Sequence, residues 1–171
     1  MSSSQLTGNT ERGPKGGRKL GLHDRALGLL AVRMRSRREL EQRLLRAGFE
    51  QAEVAEELQR LEAVDLVDDD AFAEAFAEQA VNGRKGGRAI ASGLYAKGVD
   101  RATIDRVVAG STEGEFDRAL EFAEGRARRM HGVEPAKAHQ RIVGALMRRG
   151  FSPDASREAA RRALSVSDDE E

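Results

Sequence analysis

Three histidines, an acidic triplet and a glycine-rich basic loop are the residues of this 171-residue sequence whose types could do chemistry. His23, His131 and His139 have no carboxylate at metal-ligand spacing, and Pro135 separates the last two. That pattern argues against a metal site or a catalytic histidine. Asp68-Asp69-Asp70 lacks the alternating oxygen ligands and distal glutamate of a calcium loop. Helix capping explains it: Asp68 bonds free backbone N–H groups, and the next two acids favour the helix dipole. Gly83-Arg84-Lys85-Gly86-Gly87-Arg88 resembles a phosphate-cradling loop, but no strand precedes it and no Gly-Lys-Ser/Thr follows. It reads as a flexible basic joint between two helices. No serine sits in a nucleophile elbow, and there is no cysteine. The expectation is a protein that is not an enzyme and carries no metal or cofactor.

Binding chemistry remains, and it rests on arginine. Of the 29 basic residues 24 are Arg, whose planar fork suits carboxylates and phosphates, although a codon bias would give the same count. Arg33, Arg35, Arg37 and Arg38 form one group. Arg84, Lys85 and Arg88 form a second, with Lys97 beyond it, and Arg126, Arg128 and Arg129 form a third. Whether these groups share a face depends on the elements that carry them.

Those elements repeat. "LEQRLLRAGF", "IASGLYAKGV" and "IVGALMRRGF" each place an apolar pair eight and four residues before a glycine, and an apolar residue after it. Gly48, Gly98 and Gly150 lie fifty and then fifty-two residues apart. Helices stop at such glycines. New helices are expected at Gln51, at Asp100 as N-cap, and at Ser152-Pro153. Ser36-Arg37-Arg38-Glu39 has the form of a capping box. Upstream of each glycine helix lies another: about 24–34; from Asp68, with Ala71, Phe72, Ala75, Phe76 and Val81 as its buried stripe; and from Glu115-Phe116. Each unit is thus helix, helix, glycine turn, helix.

The expected fold is all-α: three tandem three-helix repeats in an elongated, curved array whose neighbouring units share a core. The expected boundaries are 1–22 as a disordered basic arm, 23–67, 68–112 and 113–164 as repeats, and 165–171 as an acidic tail. Only 4% of residues are aromatic, which suits thin helical layers and argues against a sandwich or barrel. The net charge is zero, but residues 1–20 carry +3 and residues 165–171 carry −4. With no cysteine, no apolar leader and no membrane-length apolar run, a cytoplasmic monomer is expected. Stacking would align the basic groups into a stripe suited to a polyanion or an acidic protein groove. Solvated helix ends, where basic residues oppose the dipole, would leave the same pattern.

At this level of detail the sequence resembles the RecX family, bacterial regulators of the RecA recombinase. The resemblance covers about 24–164. It rests on Arg35, Ser36, Arg37, Glu39 and Leu40; the Ala47-Gly48-Phe49 turn; Asp68-Asp69 with Phe72; and Lys85-Gly86 with Ile90 and Leu94. Phe72 stands where the family often has Tyr, Ala47 where Lys is common, and the third unit matches more loosely. The resemblance implies a protein that binds the RecA–DNA filament groove and inhibits ATP hydrolysis, strand exchange and repressor cleavage. Direct contact with single- or double-stranded DNA is a further implication. The alternatives are a direct DNA-binding protein, which neutral net charge disfavours, and a scaffold for another protein.

Overall fold

The computed structural model describes residues 21–130 and 132–168. Most of the expected arm, His131 and residues 169–171 lie outside the described residues. Nine α-helices and no strand occur among the described residues. They fall into three units: α1 (Leu22–Val32), α2 (Arg37–Arg46) and α3 (Gln51–Glu62); α4 (Asp69–Asn82), α5 (Gly87–Ala96) and α6 (Arg101–Gly110); α7 (Glu115–Ala127), α8 (Pro135–Arg148) and α9 (Pro153–Asp168).

The caps show why the breaks fall there. Ser36 accepts from the Glu39 N–H, Asp68 from those of Asp70 and Ala71, Asp100 from that of Thr103, and Ser152 from that of Ala155. Gly48, Gly98 and Gly150 adopt φ of +93°, +78° and +87°, the left-handed conformation that favours glycine. After each, the N–H of Phe49, Val99 or Phe151 reaches back to the carbonyl of Leu44, Leu94 or Leu146. This is the Schellman closure, and it turns the chain sharply into the next helix. Leu22 already belongs to α1, and α9 runs on to Asp168, because neither Gly nor Pro interrupts Ser165-Val166-Ser167.

Each unit closes its own core. Leu40, Leu44, Leu58 and Leu61 fill the first; Phe72, Ile90 and Leu94 the second; Ile142, Leu146 and Phe151 the third. The expectation of a shared core is therefore corrected. Three helices suffice to cover the apolar stripes of one unit, so little apolar surface is left for the next. The α4 stripe is also rotated from its expected position: Phe72, Ala73, Ala77 and Ala80 are buried, while Ala75 faces outward.

Units meet instead through a polar joint that occurs twice. The start of α2 sits on the glycine turn of the second unit. There Ser36 Oγ donates to the Lys97 carbonyl (2.6 Å), and the Arg37 N–H donates to Asp69 Oδ1 (2.7 Å). The start of α5 sits likewise on the third unit's turn. The Gly86 N–H donates to the Arg149 carbonyl (3.0 Å), and the Arg88 N–H to that of Gly150 (3.1 Å). Gly87 N–H faces Glu115 Oε2 at 3.4 Å. Both joints thus use a helix start against a glycine turn and the opening acid of the following unit. Helix α8 departs from this pattern: it has 14 residues where α2 and α5 have 10, and it continues helically through the positions where they begin.

Candidate partner-binding surface

The structure divides the basic residues by what they do. Arg35, 5% exposed, and Arg33 both bind the carboxylate of Glu39, as do Arg43 and, from the second unit, Lys97 (3.1 Å). Arg35 also donates to the Leu29 carbonyl, tying α1 to α2. The Glu39 carboxylate does not close the expected capping box, because four cations compete for it. Burial pushes its pKa up. Hydrogen bonds from Lys97, Arg33 and Arg35 outweigh that and hold it at about 2, below its ordinary 4.5. Arg37 pairs with Glu62 at 2.8 Å. Four of the expected contact residues, Arg33, Arg35, Arg37 and Lys97, are therefore engaged inside the molecule.

Asp69 shifts the opposite way. Its burial beside Glu62 outweighs the hydrogen bond from Arg37, and its pKa is raised. Asp70 is lowered by hydrogen bonds from Thr103 and Arg106. So only Asp68 of the acidic triplet is purely a cap; the other two hold the unit and its joint together. His23 pairs with the buried Glu57 through Nδ1 at 2.7 Å. Among the described residues no group of three His, Cys, Asp or Glu could hold a metal ion.

The second and third basic groups converge. Arg84, with Glu121, Phe122, Gly125, Arg126, Arg128 and Arg129, lines a cup of about 250 Å³ at the junction of the second and third units. Arg84 pairs with Glu121 across it. Its φ of +52° is held there by Arg149, which donates to the Gly83 carbonyl at 2.9 Å. Gly83–Arg88 is consequently a docked segment and not a flexible joint: backbone bonds to Arg149 and Gly150 pin it. Arg149 and Arg126 both lie over the Phe122 ring, 4.5 Å and 5.5 Å from its centroid. Such stacking fixes guanidinium planes while leaving their N–H edges outward.

Arg38, Lys85, Arg88, Arg126, Arg128 and Arg129 have side chains without an ion pair or hydrogen bond among the described residues. Three of them share the cup, where one acid opposes four arginines. The contribution of Phe122 and Arg149 was missed in the sequence, because their positions relative to Arg84 depend on how two units dock.

Comparison with known proteins adds a second line of observation. The family models for the first, second and third three-helix domains of RecX match residues 23–61, 68–108 and 113–160. Regulatory protein RecX of Mycolicibacterium vanbaalenii is 40% identical over 134 residues, covering 74% of this chain and 73% of its own length. Regulatory protein RecX of Mycobacterium avium is 39% identical over 129 residues, covering 74% and 75%. Among solved structures, RecX from Lactobacillus salivarius superposes with a TM-score of 0.76 at 24% identity, over 85% of this chain and 95% of that one. That last likeness speaks to the fold alone.

Proposed function

The chain belongs to the RecX family of regulatory proteins, and from that premise we propose that it binds the RecA–DNA filament and inhibits its activities. The observation that carries this reading is the cup of unpaired arginines. Arg126, stacked over Phe122, and Arg128 and Arg129 in the same cup offer bidentate contacts to carboxylates or phosphates. A filament groove lined with protein acids and DNA phosphates supplies both. Units with separate cores, joined in series, would touch successive recombinase subunits. Bridging them would hinder the movements coupled to nucleotide turnover and occupy the groove needed by a second DNA or by the repressor. The role asks for no catalytic group, and the chain acts here as a monomer in the cytoplasm.

The test is ATP hydrolysis by RecA on single-stranded DNA with this protein added in stoichiometric amounts. A fall in rate is expected; an unchanged rate would rule the proposal out. Direct DNA contact is a second reading, favoured by the same arginines. Three phosphate contacts would give a log–log salt slope of about −3 for DNA binding without RecA. No binding at low salt would exclude it.

A further inference from the structure

The two joints differ in what faces the loop before α2 or α5. At the second joint Arg84, three residues before α5, pairs with Glu121, the seventh residue of α7. The corresponding residues at the first joint are Met34, three before α2, and Ala75, the seventh of α4. Both are exposed. Two apolar side chains thus stand where the second joint has an ion pair, and they are too short to close the space between them.

The result is a cleft of about 420 Å³, lined also by Phe72, Phe76, Gln79, Arg33 and Lys97. The Phe72 and Phe76 ring centroids lie 6.2 Å apart. Phe76 is the eighth residue of α4, as Phe122 of the cup is of α7. It rests on α5 at Gly93, where a Cβ would lie 2.4 Å from Phe76 Cζ. A glycine inside a helix weakens it, so α5 gives up some stability to seat this ring. The charge around the cleft is under-neutralised. Arg33, Arg35, Arg43 and Lys97 share the one carboxylate of Glu39, a surplus of three positive charges. Two of these cations line the cleft, with side chains 46% (Arg33) and 36% (Lys97) exposed. Each keeps donors to spare: Lys97 Nζ bonds Glu39 alone, and Arg33 bonds Glu39 and the Met34 carbonyl.

We propose that this cleft is a docking site for an acidic segment of a partner protein. A large apolar side chain of that segment fills the gap between Met34 and Ala75, and its flanking carboxylates take the spare donors of Arg33 and Lys97. Met34 and Ala75 present no flat face on which a base could stack, which favours a protein over a nucleic acid. The site is distinct from the cup, where Glu121 already holds the place that Ala75 leaves open. Equivalent positions in the two joints therefore offer different contacts. The cup offers charge alone; the cleft offers apolar burial, which slows release, beside rim cations, which speed approach.

The chain contains no tryptophan, so the emission of a tryptophan peptide reports on the peptide alone. The probe is the blocked pentapeptide Asp-Asp-Trp-Asp-Asp, with Lys-Lys-Trp-Lys-Lys as control, each added to the full chain. The acidic peptide should bind with its emission moved to shorter wavelength, as its indole leaves water, and the lysine peptide should not. Gln79→Glu changes only a charge at the cleft and should weaken binding about threefold, and Gln79→Lys should tighten it by a similar factor, the effect of one exposed charge. Ala75→Phe fills the gap and should abolish the emission shift while circular dichroism stays native. The proposal is overturned by an equal response to the lysine peptide, by an affinity indifferent to both Gln79 variants, or by a shift that survives Ala75→Phe. Displacement of the acidic peptide by an equal concentration of oligothymidylate would assign the cleft to nucleic acid and overturn it too.

Discussion

Glu39 collects four cations from α2, the α1–α2 loop and the second unit, so its loss leaves Arg35 buried without a counter-charge. Glu39→Gln should lower stability by about 3 kcal/mol at neutral pH, read from urea unfolding. The pH dependence has a definite sign. The folded carboxyl titrates at about 2 and the unfolded one near 4.5, so the native state releases this proton more readily. Its stabilisation is complete above 4.5 and is lost as pH falls from 4.5 through about 2. Glu39→Gln should flatten that limb. Asp69 has the opposite sign, because its raised pKa makes its charge a cost above that pKa. Asp69→Asn keeps an acceptor for the Arg37 N–H. It should be at least as stable as the parent at neutral pH and lose that advantage in acid. At this scale the sequence was partly legible. Ser36, Asp68, Asp100 and Ser152 could be read as caps from local spacing alone. Glu39 could not be read as a hub, because Lys97 meets it across fifty-eight positions of sequence.

Element by element, the glycine turns carry the architecture, and they are not equivalent. Gly48→Ala should cost about 1–2 kcal/mol, the strain of a left-handed alanine. Gly150→Ala adds a collision with the Ala89 backbone to that strain. It should cost at least about 2 kcal/mol more than Gly48→Ala, overpacking being expensive where backbone must move. Thermal unfolding of the two variants makes the comparison. Amide exchange at Gly86 and Arg88 locates the damage, since those N–H groups bond the displaced turn. Equal costs would mean that the second joint contributes little. The turns, their spacing and the helices between them were legible because a Schellman closure is written in six consecutive residues. The separate cores were not. Periodicity shows that a helix has an apolar face, but not whether that face meets its own unit or the next.

For the molecule as a whole, the cup at the second joint is the surface to test. Reversing Arg126, Arg128 and Arg129 to Glu together should leave folding intact, since none of the three has an ion pair among the described residues. It should raise the concentration needed to slow RecA-driven ATP hydrolysis by about tenfold or more, the loss of roughly 1.4 kcal/mol of binding. Unchanged inhibition with native circular dichroism would move the contact elsewhere. The sequence placed these arginines in one stripe with Arg33, Arg35, Arg37 and Lys97. The structure separates them, because a charge that finds an acid inside the fold is no longer offered outside it. Helix α8 carries a consequence for how such a molecule could change size. It runs one turn past the point where α2 and α5 begin, so the third unit can receive a neighbour but presents no helix start to another. A duplicated copy of residues 68–112 inserted before the third unit would bring its own start and its own turn, and the ruler would lengthen by one mark. A duplicate of the third unit appended at its end would find nothing to grip. Length in this molecule can grow from the middle and is closed at the tail.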